Sequence, residues 1–568
     1  MKLAGIGIKN FRRIGQIECM IKIDEIVVLV GQNNCGKSTV LDAYELFASG
    51  GKEVELSAFH NGDVNCPIEV TGIFTGINDA DRDVLGKKWE HDDDVHGSCI
   101  KVRWVWTAPG AKGQKQAFNP ESKTFEAGGL GGWDSLLQSR IPKPVRIRPT
   151  DPVDTTQTKI VTMLKDHVKA RLKADSSSTK KALEEIDKLA GTIFEEAKDA
   201  LDVISAKITE QVSQVFPGTE LELVPKSKDA LDEKIIGADS YLRIATAGGA
   251  ATPLMTQGTG LQRALLWSAL SVMSDIGNGK KKELKGDEDM PRILLIDEPE
   301  AFLHPPTVRN AREALYDFAL KNPLWQVIAT THSPVFIDLS KDHTTIIRVD
   351  ATSDRQRYVS TADVAFDAPQ KTRLKMVRAC NPFVNEFFFF DDVILVEGPT
   401  EHIVVSTLAE LAGSSVHVVD CLGKANIPMF AKILNHFQVP YIVIHDSDTP
   451  NCKRKNKVVK NAMWTINSEI RNTVGASKVG SQIFVQFPNF EGAFCPEELS
   501  SGKVDNVMEI LADLDSPHRK EILGAYKLIF AKDHAIMVNT EEAFNKRLQE
   551  HVELRDLQAD WQWQTDAS

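Results

Sequence analysis

The stretch Ile26-Val27-Val28-Leu29-Val30-Gly31-Gln32-Asn33-Asn34-Cys35-Gly36-Lys37-Ser38-Thr39 decides how this chain is read. Its apolar run reads as a buried strand, and Gly31, Gly36, Lys37 and Ser38 fit the phosphate-binding spacing G-x-x-x-x-G-K-[ST]. A helix is expected to open at Lys37, carried on by Val40, Leu41 and Tyr44. A chance glycine-rich turn would not need both a buried strand before it and a helix after it. The glycines let the backbone curl around phosphate oxygens, and the first amides of a helix lack acceptors within the helix, so they face an anion. Lys37 is then placed to reach terminal phosphates as a point charge and the Ser38 hydroxyl to bind magnesium, with Asn33, Gly36 and Thr39 completing the nucleotide-binding set.

At 568 residues the chain is too long for one ordinary domain, and about three or four are expected. Hydrophobic residues make up 42% and charged ones 26%, the composition of a soluble globular protein. No apolar run approaches the roughly 18 to 20 residues of a membrane helix, and the start MKLAGIGIKNFRR has no apolar signal core, so a cytoplasmic protein without membrane contact is expected. The 8 cysteines contain no C-x-x-C pair, which points to neither a zinc site nor a disulfide framework. A net charge of -12 argues against wholesale coating of nucleic acid but leaves room for a local basic patch or metal ions.

Around the phosphate loop, Leu3 to Ile8 and Ile17 to Ile23 read as strands, as do Ile68 to Phe74 and Ile100 to Trp106, so a β-rich lobe is expected. Lys112 to Trp133 reads as a loop or irregular hairpin, and Pro142, Pro144 and Pro149 as breaks. From Leu183 through Ile186, Ala190, Ile193, Ala197, Leu201, Ile204, Ile208 and Val212 to Val215 apolar residues step by three and four, predicting a long amphipathic helix that Pro217 ends. So narrow a stripe is expected to pack on a partner helix of this chain or of a second subunit. Gly258 and Gly260 then open another helix, an anion site in themselves. Arg292 to Ile296 is a buried strand delivering Asp297 and Glu298, the first suited to magnesium and the second to orienting an attacking water. Gln326 to Thr331 is a further strand, ending at His332, which can reach a γ-phosphate.

Each of these signals is weak alone; their order is not. Phosphate loop, glycine-rich helix start, strand-D-E and strand-T-H-S resemble ABC-type ATPases of the SMC kind over roughly residues 1 to 350, in which two heads sandwich ATP. Asn10-Phe11-Arg12-Arg13 resembles the segment such ATPases place near adenine. The resemblance departs at residues 51 to 75, where a glutamine is usual and none occurs; Asp63 is the candidate substitute.

Beyond a helical segment around Ala365 to Phe390, three strands end in acids or a glycine turn: Val393 to Val396 in Glu397-Gly398, with Glu401 one helical step on; Val416 to Asp420 before Gly423-Lys424-Ala425-Asn426; and Pro440 to His445 in Asp446-Ser447-Asp448. In a parallel sheet these ends lie side by side, and converging carboxylates repel one another unless cations occupy the site, which implies magnesium or manganese. The basic run Lys453-Arg454-Lys455 and Lys457 follows at once, an exposed charged loop or a DNA-phosphate contact.

The pattern strand-E-G, strand-D-x-D resembles the Toprim domain of topoisomerases, primases and certain nucleases. The fuller run VILVEGPTE, GKANI, HDSD and Trp464-Thr465-Ile466-Asn467 resembles the overcoming-lysogenisation-defect (OLD) nucleases, to which the Gabija nuclease subunit and some retron effectors are related. The resemblance implies an α/β protein: an ABC-type ATPase head (1–150 and 241–365) interrupted by a helical dimerisation arm (151–240), then a Toprim parallel-sheet domain (366–568). It implies a nucleotide-regulated DNA endonuclease active in anti-phage defence, using ATP and Mg2+ or Mn2+, and forming a homodimer or larger homo-oligomer. A second defence component, a helicase-like protein or a reverse transcriptase with its nucleic acid, is an implied partner. It further implies metal ligation by Glu397, Glu401, Asp446 and Asp448, with Glu491 as a further ligand and a late catalytic lysine, Lys532 or else Lys527. A topoisomerase- or primase-like enzyme and a non-cleaving ATP-dependent clamp stay open as alternatives. The first would need a nucleophilic tyrosine among Tyr44, Tyr241, Tyr316, Tyr358, Tyr441 and Tyr526.

Overall fold

The structure, a computed structural model, describes residues 1–127, 140–149, 202–214, 218–224, 241–246, 250–262, 291–338, 344–351, 356–361, 382–454, 457–494 and 503–554, with a few isolated positions between them. Two compact units result, Met1–Tyr358 and Val359–Ser568.

In the first unit Ile26–Val30 is buried at every position, as a strand covered on both faces must be; this is why it reads as an unbroken apolar run. It lies third in a six-stranded sheet ordered Gln356–Ser360, Thr344–Ala351, Ile26–Val30, Trp325–Thr330, Arg292–Asp297, Lys143–Ile147. The ladders from Thr344–Ala351 to Lys143–Ile147 are parallel. Their carboxyl ends therefore meet at one edge, with Asp297 opposite Thr330. The helix Lys37–Ala48 turns Val40, Leu41, Tyr44 and Phe47 into the core, and the Tyr44 hydroxyl donates to the Pro142 carbonyl at 2.6 Å.

The expected break at Pro142 to Pro149 is instead the strand Lys143–Ile147. It is the edge of the sheet, where Pro144, lacking an N–H, is tolerated. Next to it in the unit is the expected β-rich lobe, an antiparallel sheet ordered Cys19–Lys22, Lys2–Lys9, Ile68–Thr75, Gly97–Trp106, Gln114–Asn119, Thr124–Ala127. The described part of Lys112 to Trp133 is thus a regular hairpin, with Asn119 paired to Thr124. Its turn escapes notice because Lys123, not glycine, takes the left-handed backbone at φ 55.

Of the long stripe, only 202–214 lies within the described residues, and it is helical. Ile204, Ile208 and Val212 are buried there, and the helix is tied to its own unit: the Leu221 amide donates to Thr209 Oγ1 at 3.0 Å and Asn310 Nδ2 to the Gln214 carbonyl at 3.0 Å. This end of the stripe needs no second subunit to cover it. The rest of the stripe, and most of the boundaries 151–240, fall outside the described residues.

The second unit is built on four parallel strands ordered His417–Asp420, Val393–Val396, Tyr441–Asp446, Gln482–Gln486. Ile394, Val396, Leu408, Ile444 and Tyr526 share its core. Of the aromatic run, Phe387 to Phe389 belong to a 3-10 segment, Pro382–Phe389, rather than an α-helix, and Phe390 follows it; Phe388 packs edge-on against Phe437 at 4.8 Å. The His417 ring stacks on Phe390 at 4.5 Å, and burial, aided by nearby His402, pulls its pKa down to about 4. Because the unfolded chain binds that proton near 6.5, the unit loses stability as pH falls below 6.5 and on through 4. His417→Phe is therefore expected to gain on the parent by about 3 kcal/mol between pH 7 and pH 4 in urea unfolding; an unchanged difference would mean that Glu386, whose Oε2 stands 4.0 Å from His417 Nδ1, keeps the half-buried ring charged.

Two candidate sites at strand ends

In the first unit the phosphate loop closes on glycines at φ 140 (Gly31) and φ 113 (Gly36). A Cβ at Gly31 would stand 2.2 Å from the Val349 carbonyl. Lys37 is buried, and its ammonium donates back to the carbonyls of Gly31 (2.9 Å) and Gln32 (2.6 Å). Burial lowers its pKa, against the pull of neighbours that include Glu298, Glu300 and Asp297. Ser38 Oγ donates to Asp297 at 3.0 Å, and Thr330 Oγ1 to the same oxygen at 2.9 Å. A hydroxyl and a carboxylate meeting at the mouth of the loop are a donor set that magnesium accepts.

His332 Nε2 stands 3.5 Å from Glu298 Oε1, and burial and Lys37 both lower its pKa. Glu298 is held at φ 46 by its amide on the Thr330 carbonyl. Lys37, Ser38, Asp297, Glu298 and His332 are thus brought together. Gly260 is needed for a different reason: a Cβ there would lie 2.7 Å from Leu303 Cδ2 and 2.9 Å from the Phe302 carbonyl, whereas one at Gly258 would meet open space.

Two residues of this site had no sequence signal strong enough to single them out. Glu300 is half-buried and accepts from the amides of His332 (2.7 Å) and Ser333 (3.1 Å) and from Thr331 Oγ1 (2.7 Å), so it builds the turn that carries His332. Arg146, on the edge strand beside Arg292–Asp297, pairs with both Asp297 and Asp42. Asp63 does not take that place. Its carboxylate accepts from Gln16 Nε2 at 2.6 Å, in the turn after Lys2–Lys9, and from the Asn65 amide at 3.0 Å in its own loop. The strand adjoining Asp297 comes from Lys143–Ile147 and not from residues 51 to 75.

In the second unit Glu397 follows Val393–Val396 directly, and its Oε1 accepts the Asp446 amide at 2.9 Å. Asp446 is the last residue of its strand. The backbone then leaves the sheet, with Asp448 at φ 57 and its amide on the Pro488 carbonyl at 2.9 Å. The Ser447 amide donates to Gln486 (2.8 Å), and buried Asn467, from the WTIN run, donates to the Ser447 carbonyl at 2.8 Å. Burial raises the Glu397 pKa to about 7, with Asp448 and Glu401 adding to it and Lys424 opposing. Asp446 is pushed well up by burial and then by Glu397, Glu401 and Asp448. Its Oδ1 is buried with no hydrogen-bond partner. An orphaned carboxylate oxygen among three other acids fits a hard divalent cation. Among the described residues no three His, Cys, Asp or Glu side chains are grouped as ligands of one cation. In this site the Lys424 ammonium donates to the Asp448 carboxylate and the Asp446 carbonyl.

A family model described as AAA ATPase domain matches residues 1–125 and 148–337, more than half of the chain. A second, described as Overcoming lysogenization defect protein-like, TOPRIM domain, matches residues 388–448. The chain belongs to the AAA ATPase domain family and carries an OLD-like Toprim domain. It is 25% identical over 480 residues to the Old nuclease of Escherichia phage P2, covering 79% of this chain and 77% of that protein. It is 23% identical over 548 residues to the OLD nuclease of Thermus scotoductus, covering 90% and 95%. A solved Smc head bound to the winged-helix domain of ScpA aligns with a TM-score of 0.44 at 15% identity, over 65% of this chain and 100% of that one.

The matched Toprim stretch contains Glu397, Glu401, Lys424, Asp446 and Asp448. Lys532 lies at the other end of the Toprim sheet: its ammonium pairs with Asp392, which precedes Val393–Val396, and its carbonyl lies by Gln482 at the start of Gln482–Gln486. Lys527 is exposed on the helix Pro517–Phe530. The lysine in the carboxylate site is Lys424. Glu491 is the second residue of the helix Phe490–Phe494, just past the carboxyl end of Gln482–Gln486, and its side chain lies outside the described residues. Of the basic run, Lys453 and Arg454 lie on the strand Asn451–Arg454 and Lys457 on Lys457–Lys460, paired antiparallel with it, rather than in a loop; Lys455 falls outside the described residues. Tyr44, Tyr316, Tyr441 and Tyr526 are buried in the core, unsuited to attack on a DNA phosphate. Among the described residues no helix is long and apolar enough to cross a membrane.

In the ATPase domain the Arg146 side chain is 5% exposed between Asp297 and Asp42, at 9% and 11%. Removing one partner of a buried pair leaves the other charge uncompensated. Arg146→Met is therefore expected to lower the stability of the ATPase domain by about 3 kcal/mol in urea unfolding; a loss below about 0.5 kcal/mol would mean that the pair is solvated.

Proposed function

We propose that the chain is a nucleotide-regulated, divalent-metal-dependent DNA endonuclease, in which the Toprim domain cleaves and the ATPase domain binds ATP. The observation that carries this reading is the buried, unpartnered Oδ1 of Asp446 beside Glu397 and Asp448 at the carboxyl edge of a parallel sheet. Glu397, Glu401, Asp446 and Asp448 would hold Mg2+ or Mn2+, with Glu491 as a further ligand. The bound ion supplies the charge that polarises a phosphodiester and lowers the pKa of a water. The chain's own residues do the rest. Glu397 fixes Asp446 through its amide, Asn467 fixes Ser447, and the basic residues that follow Asp448 in sequence, on the paired strands Asn451–Arg454 and Lys457–Lys460, would contact a DNA backbone.

At the ATPase site Lys37 and the amides of Gly36 to Thr39 would take the phosphates, Ser38 and Asp297 the magnesium, Glu298 the water and His332 the γ-phosphate. Gly258, facing open space, is the position suited to a nucleotide held by a second copy. The proposed role is defence against bacteriophage, with a second protein or nucleoprotein component as partner, on the strength of the resemblance of the Toprim motifs to the OLD nucleases. The deciding experiment incubates supercoiled and linear DNA with the protein in Mg2+ or Mn2+, with and without ATP. Metal-dependent cleavage that EDTA stops is expected. DNA retention without cleavage in any metal would replace the nuclease with an ATP-dependent clamp.

A further inference from the structure

The charge balance of the Toprim site points to a device that the nuclease reading does not require. Lys424 is 3% exposed, and a buried ammonium survives only where it is paired. Its partners are the Asp448 carboxylate and the Asp446 carbonyl, with Glu397 Oε1 at 3.9 Å. The chain builds a turn to put it there. The Leu422 amide donates to Asp420 Oδ1 at 2.7 Å, and Asn426 Nδ2 donates to the Cys421 carbonyl at 2.9 Å. Gly423, at φ 118, donates its amide to the backbone carbonyl of Glu397 itself. The ammonium is therefore held in register with the carboxylates by their own backbone. A flexible surface lysine could not do this.

One positive charge cannot balance four acids. Lys424 engages Asp448 and leaves Asp446 Oδ1 with no partner, so the site is partly neutralised and part of it is left for a second cation. We propose that Lys424 is the built-in counter-ion of this site: it holds the carboxylates together in the metal-free protein and competes with the divalent ion for Asp448. This rests on the metal-dependent reading above and adds that uptake of metal exchanges Asp448 from the ammonium to the ion. The competition weakens metal binding, while the same ion pair keeps the metal-free site from flying apart by repulsion. Lys424 is a positioning residue in this scheme.

The test is Mn2+ binding by calorimetry on the full chain, paired with thermal unfolding in EDTA. Lys424→Met, similar in length and uncharged, is expected to bind Mn2+ about tenfold more tightly than the parent and to melt earlier without metal. Mn2+ affinity that is unchanged or weaker in Lys424→Met overturns the proposal, since a residue that merely supports the ligands would weaken binding when lost. If Lys424→Met does not fold, Lys424→Arg decides. A fixed guanidinium keeps Asp448 paired, so affinity equal to or below the parent's is expected, and tighter binding overturns the proposal. A parent chain that takes up no Mn2+, together with a Lys424→Met variant that takes up none, fails the metal-dependent reading itself. Parental binding with an unchanged variant fails the lysine alone.

Discussion

Asp446→Ala is expected to lower DNA cleavage in Mg2+ or Mn2+ by two to three orders of magnitude, about the cost of losing a metal ligand and its charge, while ATP affinity stays at the parental value. The prediction follows from where the carboxylate sits. It is half-buried at the end of Tyr441–Asp446, its amide is tied to Glu397, and its Oδ1 is buried with no partner. Burial and three neighbouring acids all disfavour its charged form, so removing it relieves repulsion in the metal-free protein. The variant should therefore be at least as stable as the parent in EDTA and gain less from added Mn2+. A merely structural carboxylate would show the reverse, with stability lost in EDTA and activity recovering at low temperature. Cleavage at the parental rate would remove the Toprim site from the chemistry. Glu397→Ala is expected to behave alike in cleavage, but to lose some order at Asp446, whose amide it holds at 2.9 Å.

The second large effect belongs to the phosphate loop. Lys37→Ala is expected to weaken ATP binding by about 100-fold, the scale of removing a charge-assisted hydrogen bond from a partly desolvated site. The Lys37 ammonium donates to the carbonyls of Gly31 and Gln32. Those are acceptors that water can satisfy in its place, so removal of the side chain should cost little stability. Burial lowers the Lys37 pKa, and a phosphate brought against it would favour the charged form again. Calorimetry on the variant checks this: unchanged ATP affinity, with the fold intact by circular dichroism, would show that the phosphates lie elsewhere.

Several things about this protein were determined by the order of its residues alone. The unbroken apolar runs Ile26–Val30, Ile293–Ile296 and Val393–Val396 are each followed at once by a glycine or an acid, and Tyr441–Ile444 by an acid one residue on, because a strand buried on both faces must be apolar throughout and its functional group must sit at the exit. That local rule makes both sites legible from sequence. Hairpin registers and edge strands were not legible in the same way. Lys143–Ile147 contains a proline that only an edge position tolerates, and edge position is a property of the whole sheet.

The counter-charges were decided only by tertiary structure. Arg146 lies far in sequence from Asp297, and Lys424 lies 22 residues from Asp446 and 24 from Asp448, each delivered by a neighbouring strand or turn. No periodicity predicts which lysine a parallel sheet brings to its carboxyl edge. Late position in the chain favoured Lys532, yet the sheet carries it to the opposite end, beside Asp392. Strand direction separates the two lysines: residues before a strand and residues after it lie at opposite edges, however close they stand in sequence.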